Sequence, residues 1–362
     1  MEIIRDTKNT VFDGCDFVVK VEKNRRFRLL QLTDMQVIDS LQARRPDRLR
    51  ADEIAAWLPE NFDSMCGDHI RTLVAQARPD LIFITGDIIY GSFDDSGSTF
   101  DWFCRLMDSF RIPWAPVFGN HDNEAKIGVT WQCERFESSE YCLFKRGAVS
   151  GNGNYTVGLA VGDKLVRVIH MLDSNGCSHS DDESVVKSKG IYADQLELVR
   201  SNTAKITAAQ GEAVDAFAAF HIPVDLFIEA EKAKGYCTDD DLFYTIGVDV
   251  PAVDGDFGCK YEDTRKCIPA GDAFLEFLRD CNINGIFVGH DHQVNTCITY
   301  KGIKWVYGLK TGQYDYHNPA QTGGTLITVD GKELEICHIP SLSIYGAYPS
   351  KAPMFKGFFT EA

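Results

Sequence analysis

The run Ile286-Phe287-Val288-Gly289-His290-Asp291-His292 decides how the rest of the chain is read. An apolar run ends in a glycine, and two imidazoles follow, two positions apart. Short apolar runs closed by a turn residue are the pattern of buried strands, so the imidazoles are expected at a strand's mouth. The arrangement recurs upstream. Asp34 follows Leu29-Leu30-Gln31-Leu32-Thr33, and Gly86-Asp87-Ile88-Ile89-Tyr90 follows Leu81-Ile82-Phe83-Ile84-Thr85. Gly119-Asn120-His121-Asp122 follows Ala115-Pro116-Val117-Phe118, and His221 follows Ala218-Ala219-Phe220. Residues that bind ions or move protons therefore collect at strand ends.

Between these runs the period changes. Ile70, Leu73, Val74 and Ala77 fall at helical spacing over 64–78, with Asp63 or Ser64 to cap the start and Pro79 past the end. Residues 99–110, 192–209 and 272–282 read as further helices, and 214–220 and 285–288 as strands. Strand–helix–strand alternation predicts an α/β fold with buried parallel strands. Residues 16–33 read as an N-terminal hairpin. Tyr155–Leu159 and Leu165–Leu172 read as neighbours joined by a Gly-Asp turn, and Asn295–Tyr300, Lys304–Tyr307, Gly324–Val329 and Glu333–Ile339 as a meander. Residues 173–190 and 235–268 lack periodicity and read as long loops near the site. Motifs spread from Asp34 to His292 form one site only if the whole span folds together, so 1–362 is expected to be a single domain.

Composition narrows the partners. The 362 residues are 44% hydrophobic and 25% charged, with a net charge of −16. Sequence-independent nucleic-acid binding needs Lys and Arg to neutralise phosphates, so a nucleic acid is not expected. A small anionic substrate stays open, because bound cations reverse the local field. Met1-Glu2-Ile3-Ile4-Arg5-Asp6 lacks a basic segment leading into an apolar one, and no stretch approaches the ~18 apolar residues of a membrane span. A cytoplasmic protein with no membrane partner is expected. None of the 12 cysteines forms Cys-x-x-Cys, so reduced, mostly buried thiols are expected. An oxidising compartment would allow a disulfide such as Cys259 with Cys267.

Carboxylates and imidazoles hold divalent ions. Two such ions about 3.5–4 Å apart supply both a nucleophile and charge neutralisation for phosphate-ester hydrolysis. A shared ligand must lie between them, and Asp87 at its strand end is the candidate.

In order, Asp-x-x, Gly-Asp-x-x-Tyr, Gly-Asn-His-Asp, His before Ile-Pro, and Gly-His-x-His resemble the calcineurin-like metallophosphoesterases, closest to their purple acid phosphatase branch. The resemblance implies a four-layer α/β/β/α sandwich of two mixed sheets. It implies that Asp34 and His292 bind the first metal, that Asp87 bridges, and that Asn120, His221 and His290 bind the second. Hydrolysis would proceed by a metal-bound hydroxide. His121 would assist the leaving group and, with Asn120, meet the substrate, while Asp122 would orient His121.

Most calcineurin-like enzymes have Asp-x-His in the first motif; here it is Asp34-Met35-Gln36. Purple acid phosphatases lack that His and place a tyrosinate on Fe(III) where this chain has Tyr90. The resemblance therefore favours Fe(III) with Fe(II), Zn(II) or Mn(II) over two Zn(II) or two Mn(II). Ala218-Ala219-Phe220-His221-Ile222-Pro223, Leu172-Asp173-Ser174, and Asn295 after the imidazole pair resemble the short, phosphatase 29-like group, which usually keeps the first-motif His. The implied reaction is phosphomonoester hydrolysis. The same site could cleave cyclic nucleotides or other diesters, and a scaffold that binds metal without catalysis is the alternative from outside enzymology.

Bland readings compete at several positions. A lone Tyr after a strand is usually a packing residue, and a lone His such as His221 is more often a satisfied core group. His170 reads as structural, His69 and His179 as surface residues, and Asn295 as a brace for the turn. Lys310, Tyr314, Tyr316 and His317 follow a strand and are candidates to reach the substrate.

Overall fold

Strands apolar on both faces need cover on both faces, and two packed sheets provide it. The computed structural model describes residues 1–21, 25–39, 54, 57–58, 66–176, 189–264 and 267–341. The first strands are β1 (Glu2–Ile4), β2 (Phe17–Val21), β3 (Phe27–Leu32), β4 (Leu81–Thr85) and β5 (Trp114–Val117). Then come β6 (Tyr155–Val161), β7 (Lys164–Met171), β8 (Ala216–Ala219), β9 (Tyr244–Thr245) and β10 (Cys259–Lys260). The last are β11 (Ile283–Val288), β12 (Cys297–Tyr300), β13 (Ile303–Tyr307), β14 (Gly323–Asp330) and β15 (Glu333–Pro340). One sheet runs β1-β2-β6-β7-β8-β11-β13-β12 and the other β15-β14-β3-β4-β5, with β9 and β10 a separate short ladder. Both large sheets are mixed. β3, β4 and β5 are parallel, as are β7, β8, β11 and β13, while β14 and β15 run antiparallel at one edge.

Alternation along a strand separates the layers. Phe217 and Ala219 of β8 and Phe287 of β11 join the core between the sheets. Their neighbours Ala216, Ala218, Ile286 and Val288 join the core under the outer helices. Across the inner core, Phe83 meets Phe287 edge-on with ring centres 5.5 Å apart. Each such buried ring is worth about 1.5–3 kcal/mol of transfer energy.

The helices are α1 (Asp68–Ala77), α2 (Ser98–Ser109), α3 (Val129–Glu137), α4 (Ala193–Gln210), α5 (Leu226–Ala233) and α6 (Gly271–Asp280). α1 packs on β3 and β14, whereas α4, α5 and α6 pack on β7, β12 and β11 of the other sheet. Helices thus cover both outer faces, giving the α/β/β/α order. α1 stops at Arg78, whose left-handed φ of 44° precedes Pro79.

Two expectations about pairing fail. The strands of 16–33 exist, but they form no hairpin: β2 pairs with β6 and β3 with β4 and β14. A lone hairpin would leave the second apolar face of each strand uncovered. The C-terminal meander is also divided, with β12 and β13 in one sheet and β14 and β15 in the other. α3 and α5 are helices that the periodicity reading did not place.

His69 is buried, not a surface residue, and its Nε2 lies 2.6 Å from Ser341 Oγ. His170 is buried beside Thr156, as a structural residue would be. His179 lies outside the described residues. The eleven described cysteines, Cys259 and Cys267 among them, are free thiols. No helix among the described residues is long and apolar enough to cross a membrane.

Candidate metal centre

Asp34, Asp87 and Asn120 follow the parallel strands β3, β4 and β5, and His221 and His290 follow β8 and β11. The sheets meet so that all these C-terminal ends share one edge. Buried polar contacts fix the meeting. Gln31 Nε2 on β3 donates to the Val288 carbonyl on β11 (3.0 Å) and to Thr85 Oγ1 on β4 (2.9 Å). The chain turns sharply at three of these five strand ends: Asp34, Asp87 and His290 have φ of 52°, 50° and 78°. Non-glycine residues hold such backbone only where surrounding contacts over-determine it. Glycine beside these residues has a separate reason. A Cβ on Gly289 would overlap Thr33 Oγ1 and the Asp34 carboxylate, and one on Gly119 would overlap Asp87.

Among the described residues, Asp34, Asp87 and His292 bring one potential ligand atom each to within 4.8 Å of one another, all buried. His292 Nε2 lies 3.6 Å from Asp34 Oδ1. On the other side of Asp87, His221 Nε2 lies 3.3 Å from Asp87 Oδ2, 3.1 Å from Asn120 Oδ1 and 3.3 Å from His290 Nδ1.

The donor set fits cations. His221 donates its Nδ1–H to the Thr85 carbonyl (2.7 Å), and His292 donates its own to the Tyr316 carbonyl (2.8 Å). Each neutral ring then turns its Nε2 lone pair towards carboxylate or amide oxygen. Lone pairs that face one another in a buried space call for a positive charge between them.

Without metal, protons take that place. Burial would lower His221, but Asp87 outweighs it and raises the imidazole well above its usual value. His290 goes the other way, lowered to about 3 by burial and by His221. Burial pushes Asp34 and Asp87 up, yet the neighbouring imidazoles hold both carboxyls below their ordinary range.

His121 borders this cluster. Its backbone N–H donates to Asp87 Oδ1 (2.9 Å) and its Nδ1 to Glu124 Oε2 (2.9 Å). Burial opposes its protonation, but Asp87 and Glu124 raise it to about 9. The expected orienting role of Asp122 is therefore corrected. Its carboxylate accepts from Ile89 N (3.0 Å) and Gly119 N (2.7 Å), pinning the Asp87 loop to the Asn120 loop. Glu124 holds His121 instead. The i,i+3 spacing within the short turn Asp122–Glu124 was the available signal.

Tyr90 is buried, its ring edge-on to Trp57, Phe93 and His121 at 6.2, 4.9 and 4.7 Å. Three of the four candidates for reaching substrate, Lys310, Tyr314 and His317, are buried, and Tyr316 is half-buried. Tyr314 and His317 are buried, and the Tyr314 carbonyl accepts from Trp57 Nε1 (2.7 Å). Lys310 is buried, and its Nζ donates to the Asp34 carbonyl (3.0 Å) and Gln36 Oε1 (2.6 Å). Tyr316 stacks on His292 with ring centres 4.1 Å apart. Asn295 braces Cys259, whose N–H donates to its Oδ1 (2.8 Å), not the imidazole turn itself.

Sequence reasoning missed Glu262, which lies in the aperiodic stretch 235–268. It accepts from His292 N (2.8 Å) and Gln293 N (3.1 Å), and from the Tyr316 hydroxyl. One carboxylate thus anchors both the loop that carries His292 and the residue whose carbonyl orients it. Glu262→Ala should weaken cation binding at the Asp34–Asp87–His292 position by ~10–100-fold, the usual cost of losing a residue behind a ligand. A zinc titration of the metal-stripped protein measures it.

The family model for calcineurin-like phosphoesterases matches residues 27–294. "Probable inactive purple acid phosphatase 28" of Arabidopsis thaliana is 26% identical over 334 residues, covering 81% of this chain and 72% of its own. "Probable inactive purple acid phosphatase 29" of the same plant is 24% identical over 332 residues, covering 83% and 75%. Among solved structures, a purple acid phosphatase from yellow lupin (Lupinus luteus) seeds aligns with a TM-score of 0.44 at 11% identity, over 87% of this chain and 52% of that one. The family match spans every residue from Asp34 to His292 that converges on the cluster, and the chain belongs to the calcineurin-like phosphoesterase family, with purple acid phosphatase-like proteins among its relatives.

Proposed function

We propose that this chain hydrolyses phosphomonoesters at a two-metal centre. The observation that carries the reading is the meeting of carboxylates and imidazoles around Asp87, with His121 beside them. Asp34, Asp87, His292 and Tyr90 would hold one cation, and Asp87, Asn120, His221 and His290 the other. Bound cations would supply Lewis-acid neutralisation of the phosphoryl oxygens and a more acidic water.

The chain's own residues do the rest. Glu124 accepts the Nδ1–H of His121, which fixes the ring and leaves Nε2 to donate a proton to the departing alkoxide. Asp122, tied to Ile89 N and Gly119 N, keeps Asp87 and Asn120 in one frame. A small phosphorylated substrate suits an anionic protein whose site gains its positive field from bound ions.

Three curated relatives carry "inactive" in their names, so turnover is the test. The purified protein should contain metal and release nitrophenol from para-nitrophenyl phosphate faster than from its bis-ester. Metal without turnover on either ester would support a scaffold instead, and faster diester cleavage would make it a phosphodiesterase.

Iron with a Tyr90 phenolate is the metal reading we favour, since a hard anionic donor suits Fe(III). The oxidised protein should then show a visible charge-transfer band that Tyr90→Phe removes. A colourless, active protein would shift the metals to zinc or manganese.

A further inference from the structure

Residues 235–268 fold against the segment that carries His290 and His292. Lys260 of β10 bridges to Val294, and Tyr261 N donates to the Gln293 carbonyl (2.9 Å). β9 pairs with β10, Tyr244 opposite Lys260 and Thr245 opposite Cys259. Alternation sends the side chains of this ladder two ways. Tyr244 and Lys260 are buried, and Lys260 Nζ meets Glu231 Oε2 at 2.6 Å. Their chain neighbours Phe243 and Tyr261 are 54% and 43% exposed, and the Tyr261 hydroxyl hydrogen-bonds to Thr245 Oγ1 on the outer face.

Two properties set this surface apart. Of the eight large hydrophobic residues exposed among the described ones, four lie here: Phe243, Val248, Val253 and Tyr261. The stretch also carries eight Asp and Glu against three Lys and Arg, and Asp240, Asp241 and Asp249 are exposed. Asp249 Oδ2 accepts from Thr245 N (2.8 Å), which places its charge on the same ladder. Exposed aromatic and apolar side chains gathered in one place mark a surface that meets a partner, and the carboxylates select which. A second copy docked through the same face would set these negative charges against themselves, and an anionic membrane or a nucleic acid would be repelled.

We propose that the outer face of β9 and β10, with Phe243 and Tyr261 at its centre, docks a polypeptide segment rich in basic and apolar side chains. The aromatic rings take the apolar side chains, and Asp240, Asp241 and Asp249 take the cations. The partner then lies beside the loop that carries His292, whatever ester the metal centre takes.

The test is fluorescence anisotropy of labelled peptides titrated with the full chain at low and high salt. The probes are three synthetic peptides of equal length, one built of Arg and Leu, one of Glu and Leu, and one of Arg and Ser. The first should bind at least ~10-fold more tightly than the others, and salt should weaken it. Phe243→Ser combined with Tyr261→Ser, both at exposed positions, should weaken that binding by ~10-fold or more. Asp240→Asn combined with Asp241→Asn should narrow the gap between the Arg and Glu peptides. Tyr192→Ser, at an exposed tyrosine outside this stretch, should change nothing. Equal binding of the three peptides by wild type overturns the proposal, as does tight binding of the first peptide that the double serine variant retains. A wild-type dimer, seen by sedimentation, that the double serine variant dissolves also overturns it, since the face then belongs to a second copy.

Discussion

Asp87→Asn should strip the protein of bound metal and of the proposed phosphoesterase turnover together. Asp87 is the one carboxylate that faces both groups of ligands: it belongs to the cluster with Asp34 and His292, and its Oδ2 lies 3.3 Å from His221 Nε2. Asparagine keeps the shape but removes the charge and replaces one acceptor oxygen with an N–H donor aimed at other donors. Losing a residue that merely supports a ligand costs ~10–100-fold in affinity, so losing the shared ligand should cost more than ~10²-fold at each position. Elemental analysis and turnover, measured on the same preparation, check the result. Retained turnover with full metal would refute the assignment of Asp87.

His121→Ala separates the two properties. Its ring Nδ1 hydrogen-bonds to Glu124, and its backbone N–H donates to the Asp87 carboxylate. The backbone contact survives in alanine, so both metals should stay bound. Turnover should fall by ~10²–10⁴, the range for a lost acid–base group. The loss should be largest for esters with poor leaving groups, since a nitrophenolate needs little protonation. Glu124→Gln should fall between wild type and His121→Ala, because it keeps an acceptor for the ring but loses the charge. Metal loss from His121→Ala would mean that the imidazole is a ligand and that these roles are misassigned.

Much of this site could be read from short windows. Apolar runs ending in Gly-Asp, Gly-Asn-His or Gly-His-x-His marked strand ends, because a buried strand and the turn that closes it are both local patterns. The glycines follow from the same geometry, since Gly119 and Gly289 lie where a Cβ would enter the carboxylate of a neighbouring strand end. The reading that Asp122 orients His121 failed for a different reason. Both Asp122 and Glu124 are near in sequence, and the one-turn helix at Asp122–Glu124 decides between them. That turn directs Glu124 to the imidazole and Asp122 to the backbone N–H groups of Ile89 and Gly119.

Sequence alone determined the α/β class, the order of the strand-end motifs and the residue types that could meet a metal, because periodicity and turn chemistry act over a few residues. Tertiary structure decided which strands pair. β2 and β3 are close in the chain yet lie in different sheets, since each has two apolar faces to cover and finds that cover elsewhere. It also decided which groups stand behind the ligands. Glu262 lies in a stretch without periodicity, and Lys310 reads as a loop lysine until the fold buries it against Asp34 and Gln36. Such contacts join residues from 30 positions apart, for Glu262 and His292, to 276, for Lys310 and Asp34, and the Gln31–Val288 hydrogen bond spans 257. No local pattern encodes them; they arise when the two sheets close on one another and bring their strand ends to a common edge.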